Sequence, residues 1–586
     1  MISVERSFYR KFPRLAEGRA RALAQPVVGL LRRIACEERI NAILAQGADL
    51  PGLAFVEHVL DSLKVSYSVA NTDRENIPVE GPVVIVANHP LGALDALALI
   101  HLVGSVRRDV KVLANDVLMQ LDPMKSLLLP LPVFGSASSL GGAREAYRAL
   151  EREEALIVFP AGEVSRMGAQ GVRDSKWSTG FARLALKTGA PVLPVHIRAQ
   201  NSPMFYGVSM LAKPLASLML VREMFGAENA RIGFQIGQIV SSEALADGAE
   251  RPERVAAQMR RHVYRLARRR PTVFPTSTAI AHPESPLAVR SALRKAERLG
   301  HTVDGKQILL LDAAGVDCPA LREIGRRREL ALRRVGEGTG ARRDLDRYDT
   351  HYRHLVLWDE HALAIVGAYR LGEAGRILRE RGMHGLYSAS LFEYADDARP
   401  FLDGAVELGR SFVQPAYWGS RSLDYLWQGI GAYLASRPDV RYLFGPVSLS
   451  ASLPFEAREW IVHYHRHYFG SGATLAQPRN PFVISPAVAT AASATWSGRS
   501  VSEGLVALRQ RLDSLQAQLP VLYRQYADLC EPEGVRFLGF GIDPAFGGCV
   551  DGLVQLDLAH LRPAKRARYL ARAMRQAVVS PLDPAV

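Results

Sequence analysis

A histidine and an aspartate six residues apart are the first pair in the chain that could do chemistry. They are His89 and Asp95, in Asn88-His-Pro-Leu-Gly-Ala-Leu-Asp95. That spacing does not put two side chains on one helix face. The Pro-Leu-Gly turn can instead fold His89 back onto Asp95. A carboxylate holding one imidazole nitrogen leaves the other free to take a proton from an acceptor, and such general-base help is worth roughly 10²–10⁴-fold. Asn88 is a candidate for holding substrate beside them. The plainer alternative is a buried histidine and a helix cap. A second set follows in Phe159-Pro-Ala-Gly-Glu-Val-Ser-Arg166. Gly162 lets backbone approach a ligand there. Glu163 is a further catalytic candidate, and Arg166 can grip a carboxylate or phosphate with two hydrogen bonds. The alternative is a surface ion pair.

These residues need strands to deliver them. Val83–Ala87 is short, apolar and β-branched, and an apolar helical pattern begins at Ala96, so strand, turn and helix are expected, with Asp95 at the helix N-cap. Ala155–Phe159 is a second buried strand. Further strands are expected at 111–114, 130–135, 189–198 and 231–238, with helices at 141–154, 179–188 and 251–270. Residues 5–48 read as basic helix with Phe8, Phe12, Val27, Leu30 and Leu31 interleaved, fit for an anionic membrane surface or for capping the domain. Met204–Phe225 is apolar but broken by Lys213-Pro214. It is too interrupted to span a bilayer and suits a membrane-dipping or acyl-channel element, or a core helix pair.

The order Asn88-His89…Asp95, Phe159-Pro-Ala-Gly-Glu163 and Ala190-Pro-Val-Leu-Pro-Val195 resembles the lysophospholipid acyltransferase superfamily over roughly residues 55–250. The resemblance implies that His89 is the base on an acceptor hydroxyl and that Asp95 orients it. The variant third motif, with Ala161 where that family commonly has Glu, looks like the branch of haemolysin-like proteins and ornithine-lipid O-acyltransferases. It argues against a phosphate-bearing acceptor.

Pro271–Pro286 is the best linker. Beyond it, a helix is expected at 319–335, a hairpin at 353–371, strands at 385–393, 405–413 and 441–449, and a helix at 423–436. Strand, loop and helix around Gln414–Arg421 suit an anion-cradling helix N-terminus. Asp346, Asp349, Arg370, Glu407 and Arg410, with the tail Gly541–Asp557, resemble the GNAT acyltransferase fold over about residues 300–560. The branch is the one that makes N-acyl ornithine and is similar to acyl-homoserine lactone synthases. An α-amine is mostly protonated at neutral pH and must lose a proton before attack. Glu393 or Glu407 is the expected base. Arg370 and Arg410 could hold an amino acid carboxylate or a carrier phosphate, and Asp346 or Asp349 a side-chain ammonium. Structural ion pairs are the alternative for each. The loop Ala416-Tyr-Trp-Gly-Ser-Arg421 keeps only Gly419 of the usual coenzyme A pattern. With Trp418 and Arg421 it suits an acyl group on carrier protein better than acyl-coenzyme A. His463 and His467, four apart, are expected to be packed or solvated rather than metal ligands.

The totals agree with two centres. At 586 residues the chain is too long for one core. A net charge of +14 favours an acidic partner: an anionic membrane or an acidic carrier protein rather than nucleic acid, since the basic helix 251–270 has poor aromatic interleaving. Four scattered cysteines suggest a reducing compartment. The expectation is therefore an α/β chain: amphipathic helices at 1–50, a glycerolipid-acyltransferase α/β domain at 51–270, a linker at 271–290 and a GNAT-like α+β domain at 291–586. It would make ornithine lipid in the cytoplasm, peripheral on the inner membrane, without cofactor or metal. The C-terminal domain would move a 3-hydroxyacyl chain from acyl carrier protein to the α-amine of ornithine, and the N-terminal domain would esterify the 3-hydroxyl. A lysophospholipid O-acyltransferase with a non-catalytic docking domain, or a membrane-lytic lipid-binding protein, are the alternatives.

Overall fold

In the computed structural model, residues 3–571 are described, apart from 16–17, 35, 115–117, 131–137, 169–170, 212, 227–230, 248–250, 313–314 and 473–474. The chain divides into two units, Met1–His282 and Pro283–Val586.

The first unit holds β1 (Ser66–Val69), β2 (Val83–Ala87), β3 (Val110–Ala114), β4 (Leu128–Pro130), β5 (Ala155–Val158), the hairpin β6 (Arg166–Gly168) and β7 (Gly171–Arg173), β8 (Val192–Arg198) and β9 (Arg231–Ile236). Seven of these form one sheet in the order β1-β9-β8-β2-β5-β3-β4. Every neighbouring pair is parallel except β8 with β9. β2 is buried on both faces, which explains its unbroken Val-Val-Ile-Val-Ala. Its alternate residues serve two cores. Val83, Ile85 and Ala87 pack with helices Leu53–Ser62 and Ala93–Gly104. Val84 and Val86 pack with helices Gly180–Thr188 and Pro252–Leu266. β2 lies between β8 and β5, so the residues after β2 and after β5 meet at the same sheet edge. Ligands of open α/β sheets bind at such carboxyl ends.

The expected strand at 130–135 lies outside the described residues from 131 onward. Met204–Phe225 is two helices, Pro203–Leu211 and Lys213–Gly226, and Phe205, Tyr206, Met219 and Phe225 are buried; the side chains of 210–218 lie outside the described set. No helix among the described residues is long and apolar enough to cross a membrane.

The second unit holds β10 (Glu297–His301), β11 (Gln307–Leu311), β12 (Arg353–Asp359), β13 (Ala364–Glu373), β14 (Phe392–Tyr394), β15 (Ala405–Val413), β16 (Tyr442–Leu449), β17 (Ala476–Pro478), β18 (Val535–Asp543) and β19 (Cys549–Asp557). Eight form a sheet in the order β10-β11-β12-β13-β15-β16-β19-β18, and β14 and β17 form a separate ribbon. The expected strand at 385–393 is mostly 3-10 turns, Met383–Gly385 and Ser388–Ser390, with only Phe392–Tyr394 extended. Leu355 and Leu357 of β12 pack toward helix Ser422–Ala435, while Val356 and Trp358 pack toward helix Pro319–Arg333.

The sheet is antiparallel except where β15 meets β16. That parallel pairing covers only Ala405–Glu407 against Tyr442–Phe444. Beyond it β15 keeps β13 and β16 keeps β19, so the two facing edges part with backbone groups unpaired across the split. Gly445 sits at the fork. A Cβ there would lie 2.0 Å from the Leu408 carbonyl oxygen.

Candidate active sites

His89 leaves the end of β2 on the turn before helix Ala93–Gly104. That helix begins three residues earlier than its apolar pattern predicts. Gly92, at φ +85°, is its N-cap, and Asp95 lies in its first turn. The N-cap expectation for Asp95 is thus corrected; Gly reaches that φ without strain. Fully buried Asp95 accepts the Leu91 N–H through Oδ2 at 2.7 Å and turns Oδ1 to His89 Nδ1 at 3.0 Å. Neither of those two facing atoms has another partner among the described residues. The imidazole keeps 18% exposure, and its Nε2 has no hydrogen bond among the described residues. Burial pushes the His89 pKa down, but the charge and hydrogen bond of Asp95, with the charge of Asp174, outweigh it and raise the pKa overall.

Asp174, which sequence reasoning missed, ties the two motifs together. Its Oδ1 accepts the His89 N–H at 3.2 Å and the Ser165 hydroxyl, and its Oδ2 accepts the Trp177 indole N–H at 2.8 Å. Ser165 N donates to the His89 carbonyl at 2.8 Å, and the Phe159 ring lies 4.2 Å from the imidazole. Arg166 pairs with Glu163 at 3.2 Å and donates to Ser209 at 2.7 Å, so both candidates stand on the loop that abuts His89. Asn88 is a correction. Its Nδ2 donates to Ile197 O at 2.9 Å and its Oδ1 accepts Ile197 N–H at 2.7 Å. It extends the β2–β8 seam rather than holding substrate.

The second unit has a cavity of about 540 Å³ in the split between β15 and β16. Arg410, Trp418 and Gly419 line it, as do Tyr387, Ser448, Glu337 and Asp551. Arg410 has φ +50° at a bulge of β15, where Ala368 and Arg370 face Phe412 and Gly409. A left-handed non-glycine residue at a bulge re-aims its side chain. Its guanidinium bonds Asp344 and the Tyr387 hydroxyl, each at 3.2 Å, and stacks 4.5 Å from the Phe546 ring.

Several expectations fall outside this cavity. Arg370 is fully buried, bonded to Asp346 at 2.7 Å and paired with Asp349 at 3.3 Å, among the rings of Tyr348, Tyr352 and Tyr387. Asp349 also meets Arg328 at 2.9 Å. Burial opposes its charge, but Arg328 and Arg370 hold its carboxyl well below the usual range. Asp349 serves arginines of the fold, while Asp346 also stands 3.7 Å from the cavity's Arg410; neither lines the cavity itself. Glu407 is buried between the Tyr352 hydroxyl and the Ser388 N–H, and burial raises its pKa despite both bonds. Glu393 is exposed on the β14–β17 ribbon. Neither reaches the cavity as a base. Arg421 is 60% exposed at the N-cap of helix Ser422–Ala435. His463 accepts the Trp496 indole N–H at 3.0 Å, a packed histidine as expected.

The acidic groups that do line the cavity are Glu337 and Asp551. Burial, then Asp543 and Glu337, push the Asp551 carboxyl up to about 8, with Arg410 pulling the other way. Glu337 is raised by burial, against its bond from Ser448. Burial beside a cleft was the missing signal; in the sequence both look like ordinary loop or strand acids.

Comparison with known proteins agrees with this division. The acyltransferase family model matches residues 10–267, and the acetyltransferase (GNAT) domain model matches residues 328–428. A glycine N(alpha)-acyltransferase of Bacteroides thetaiotaomicron is 30% identical over 263 residues, 43% of this chain and 77% of that protein. A lyso-glycine lipid O-acyltransferase of the same organism is 31% identical over 248 residues, 41% of this chain and 89% of that protein. An L-ornithine N(alpha)-acyltransferase of Brucella abortus is 36% identical over 143 residues, 22% of this chain and 49% of that protein. The chain is an acyl-transferring enzyme and belongs to the acyltransferase family of these relatives, with an acyltransferase domain in front and a GNAT domain behind.

Proposed function

We propose that the chain makes ornithine lipid in two acyl transfers. In the second unit, the α-amine of ornithine attacks the thioester carbonyl of a 3-hydroxyacyl chain on acyl carrier protein. An amide forms, the carbon–sulfur bond breaks, and the carrier thiol leaves. The unpaired strand edges of the β15–β16 split offer N–H donors to the developing oxyanion. Arg410 holds the acceptor carboxylate. Trp418, Gly419 and Arg421, before helix Ser422–Ala435, receive the carrier's phosphopantetheine phosphate.

In the first unit, His89 Nε2 takes the proton of the new lipid's 3-hydroxyl as that oxygen attacks a second acyl thioester; an ester forms, the carbon–sulfur bond breaks, and the imidazolium returns the proton to the leaving thiolate. Asp95 keeps Nδ1 occupied and steadies the imidazolium that forms. Glu163 and Arg166 stand on the adjoining loop to meet the acceptor. The work would be done in the cytoplasm at the inner membrane, with no metal or bound cofactor. Leu23, Val27 and Leu30 support membrane contact: they are 80, 49 and 59% exposed along one side of helix Gly18–Ile34.

The observation that carries this reading is the pairing of His89 with Asp95 in one unit with a split-strand cavity around Arg410 in the other. A docking domain has no use for such a cavity, which disfavours a lysophospholipid O-acyltransferase with an inert second half. Labelled amino acids supplied with 3-hydroxyacyl carrier protein test the point. The proposal requires an N-acylated product that disappears in Arg410→Ala; the inert-domain reading requires none from the wild type.

A further inference from the structure

The cavity in the second unit carries two acids that the reaction above leaves unused. Asp551 on β19 stands opposite Ser448 on β16, and the Ser448 hydroxyl donates to Glu337 Oε2 at 2.9 Å. Glu337, Ser448 and Asp551 therefore share one wall, facing a space of about 540 Å³. Asp551 is only 4% exposed, yet it accepts no hydrogen bond and has no cation at ion-pair distance among the described residues. A buried carboxylate left this way is costly, and the cost is removed when a cation arrives.

The neighbours of Asp551 do not supply that cation. Asp543 and Glu337 are like charges, and the Tyr387 and Tyr523 hydroxyls and the Cys549 thiol are neutral. Arg410 is the cationic group among the described lining residues, and it is already bonded to Asp344 and Tyr387. Two acids on one wall and one guanidinium on another suit a ligand with a side-chain ammonium and a carboxylate, its α-amine being neutral when it attacks. A ligand without a side-chain ammonium leaves both acids unmatched.

We propose that Glu337 and Asp551 form a subsite for the side-chain ammonium of the acceptor, so that the second unit selects amino acids carrying two amino groups over glycine and other monoamino acids. The proposal rests on the N-acyltransferase reading and adds the residues that recognise the acceptor's side chain. With the subsite empty, the raised pKa keeps Asp551 largely protonated at neutral pH. Seating an ammonium releases that proton, so acceptor affinity rises with pH toward and just past 8.

The test is steady-state N-acylation by the full-length chain, with 3-hydroxyacyl carrier protein as donor. L-ornithine is compared with L-norvaline, which has the same carbon chain without the terminal amine, and with glycine. The expected kcat/KM for ornithine exceeds that for norvaline by about tenfold or more, and Asp551→Asn or Glu337→Gln lowers this ratio by about tenfold, mainly through the KM for ornithine. An equal preference in the wild type overturns the subsite alone, as does a ratio that neither variant changes. Acylation of no amine at all overturns the N-acyltransferase reading and the subsite with it. Where a variant fails to fold, the wild-type ratio and its rise with pH still decide.

Discussion

Nδ1 of His89 lies 3.0 Å from Oδ1 of Asp95, and the other oxygen of that carboxylate is held by the Leu91 N–H at 2.7 Å. The acid cannot swing away, so the imidazole is aimed with Nε2 outward. Burial alone would make His89 a weak base; the two acids Asp95 and Asp174 reverse that.

The consequence is a defined pH dependence. His89 must be neutral to accept a proton, so O-acylation rises with pH through a value above the ordinary 6.5 of histidine. Asp95→Asn removes the larger of the two raising charges and leaves the burial. The rising limb then moves to lower pH, while the plateau falls about 10²-fold because the ring loses its orienting partner. Rate–pH profiles of both proteins on a monoacylated 3-hydroxyacyl lipid check this.

Asn88 separates positioning from binding. Its amide satisfies both the N–H and the carbonyl of Ile197. Asn88→Ala leaves two buried backbone groups unpaired and costs about 2–4 kcal/mol. Denaturant unfolding should show that loss, while the KM for the acyl acceptor stays within about twofold in the folded protein.

Gly445 tests the split strands. A methyl group there meets the Leu408 carbonyl at 2.0 Å, so β15 and β16 must shift where they part. Gly445→Ala is expected to cost about 2–4 kcal/mol. It should abolish N-acylation and leave O-acylation of supplied lyso-lipid intact, measured on the two substrates separately.

Arg410 is held by geometry as well as charge. Its two Nη atoms reach Asp344 and Tyr387 at once. A lysine ammonium is a single point charge and cannot span both. Arg410→Lys should therefore lower kcat/KM for N-acylation by about 10²-fold, read with saturating acyl carrier protein.

The parts legible in the sequence are those where neighbouring residues carry the signal. The apolar runs at 83–87 and 155–158 gave their strands, and the motif order gave His89 and Asp95. Contacts between distant residues were not legible. Asp174 reaches His89 from 85 positions away, and Asp551 and Glu337 meet only because β19 pairs with β16. Glu407 reads as a base from its place in the GNAT-like stretch Glu407-Leu-Gly-Arg410; the fold turns it inward to Tyr352 and Ser388. Segment 385–393 read as a strand from its apolar content, but turns there bring the Ser388 N–H to Glu407 and the Tyr387 ring beneath Arg370 and Arg410.

The central claim is that one chain carries out two acyl transfers in sequence, amine first and hydroxyl second. The most direct measurement is mass spectrometry of lipids from a host that makes no aminolipid, expressing either the wild type or His89→Ala. The account predicts diacylated amino-acid lipid from the wild type and accumulation of the monoacylated 3-hydroxyacyl amide from His89→Ala. Undiminished diacylated lipid from His89→Ala would contradict it.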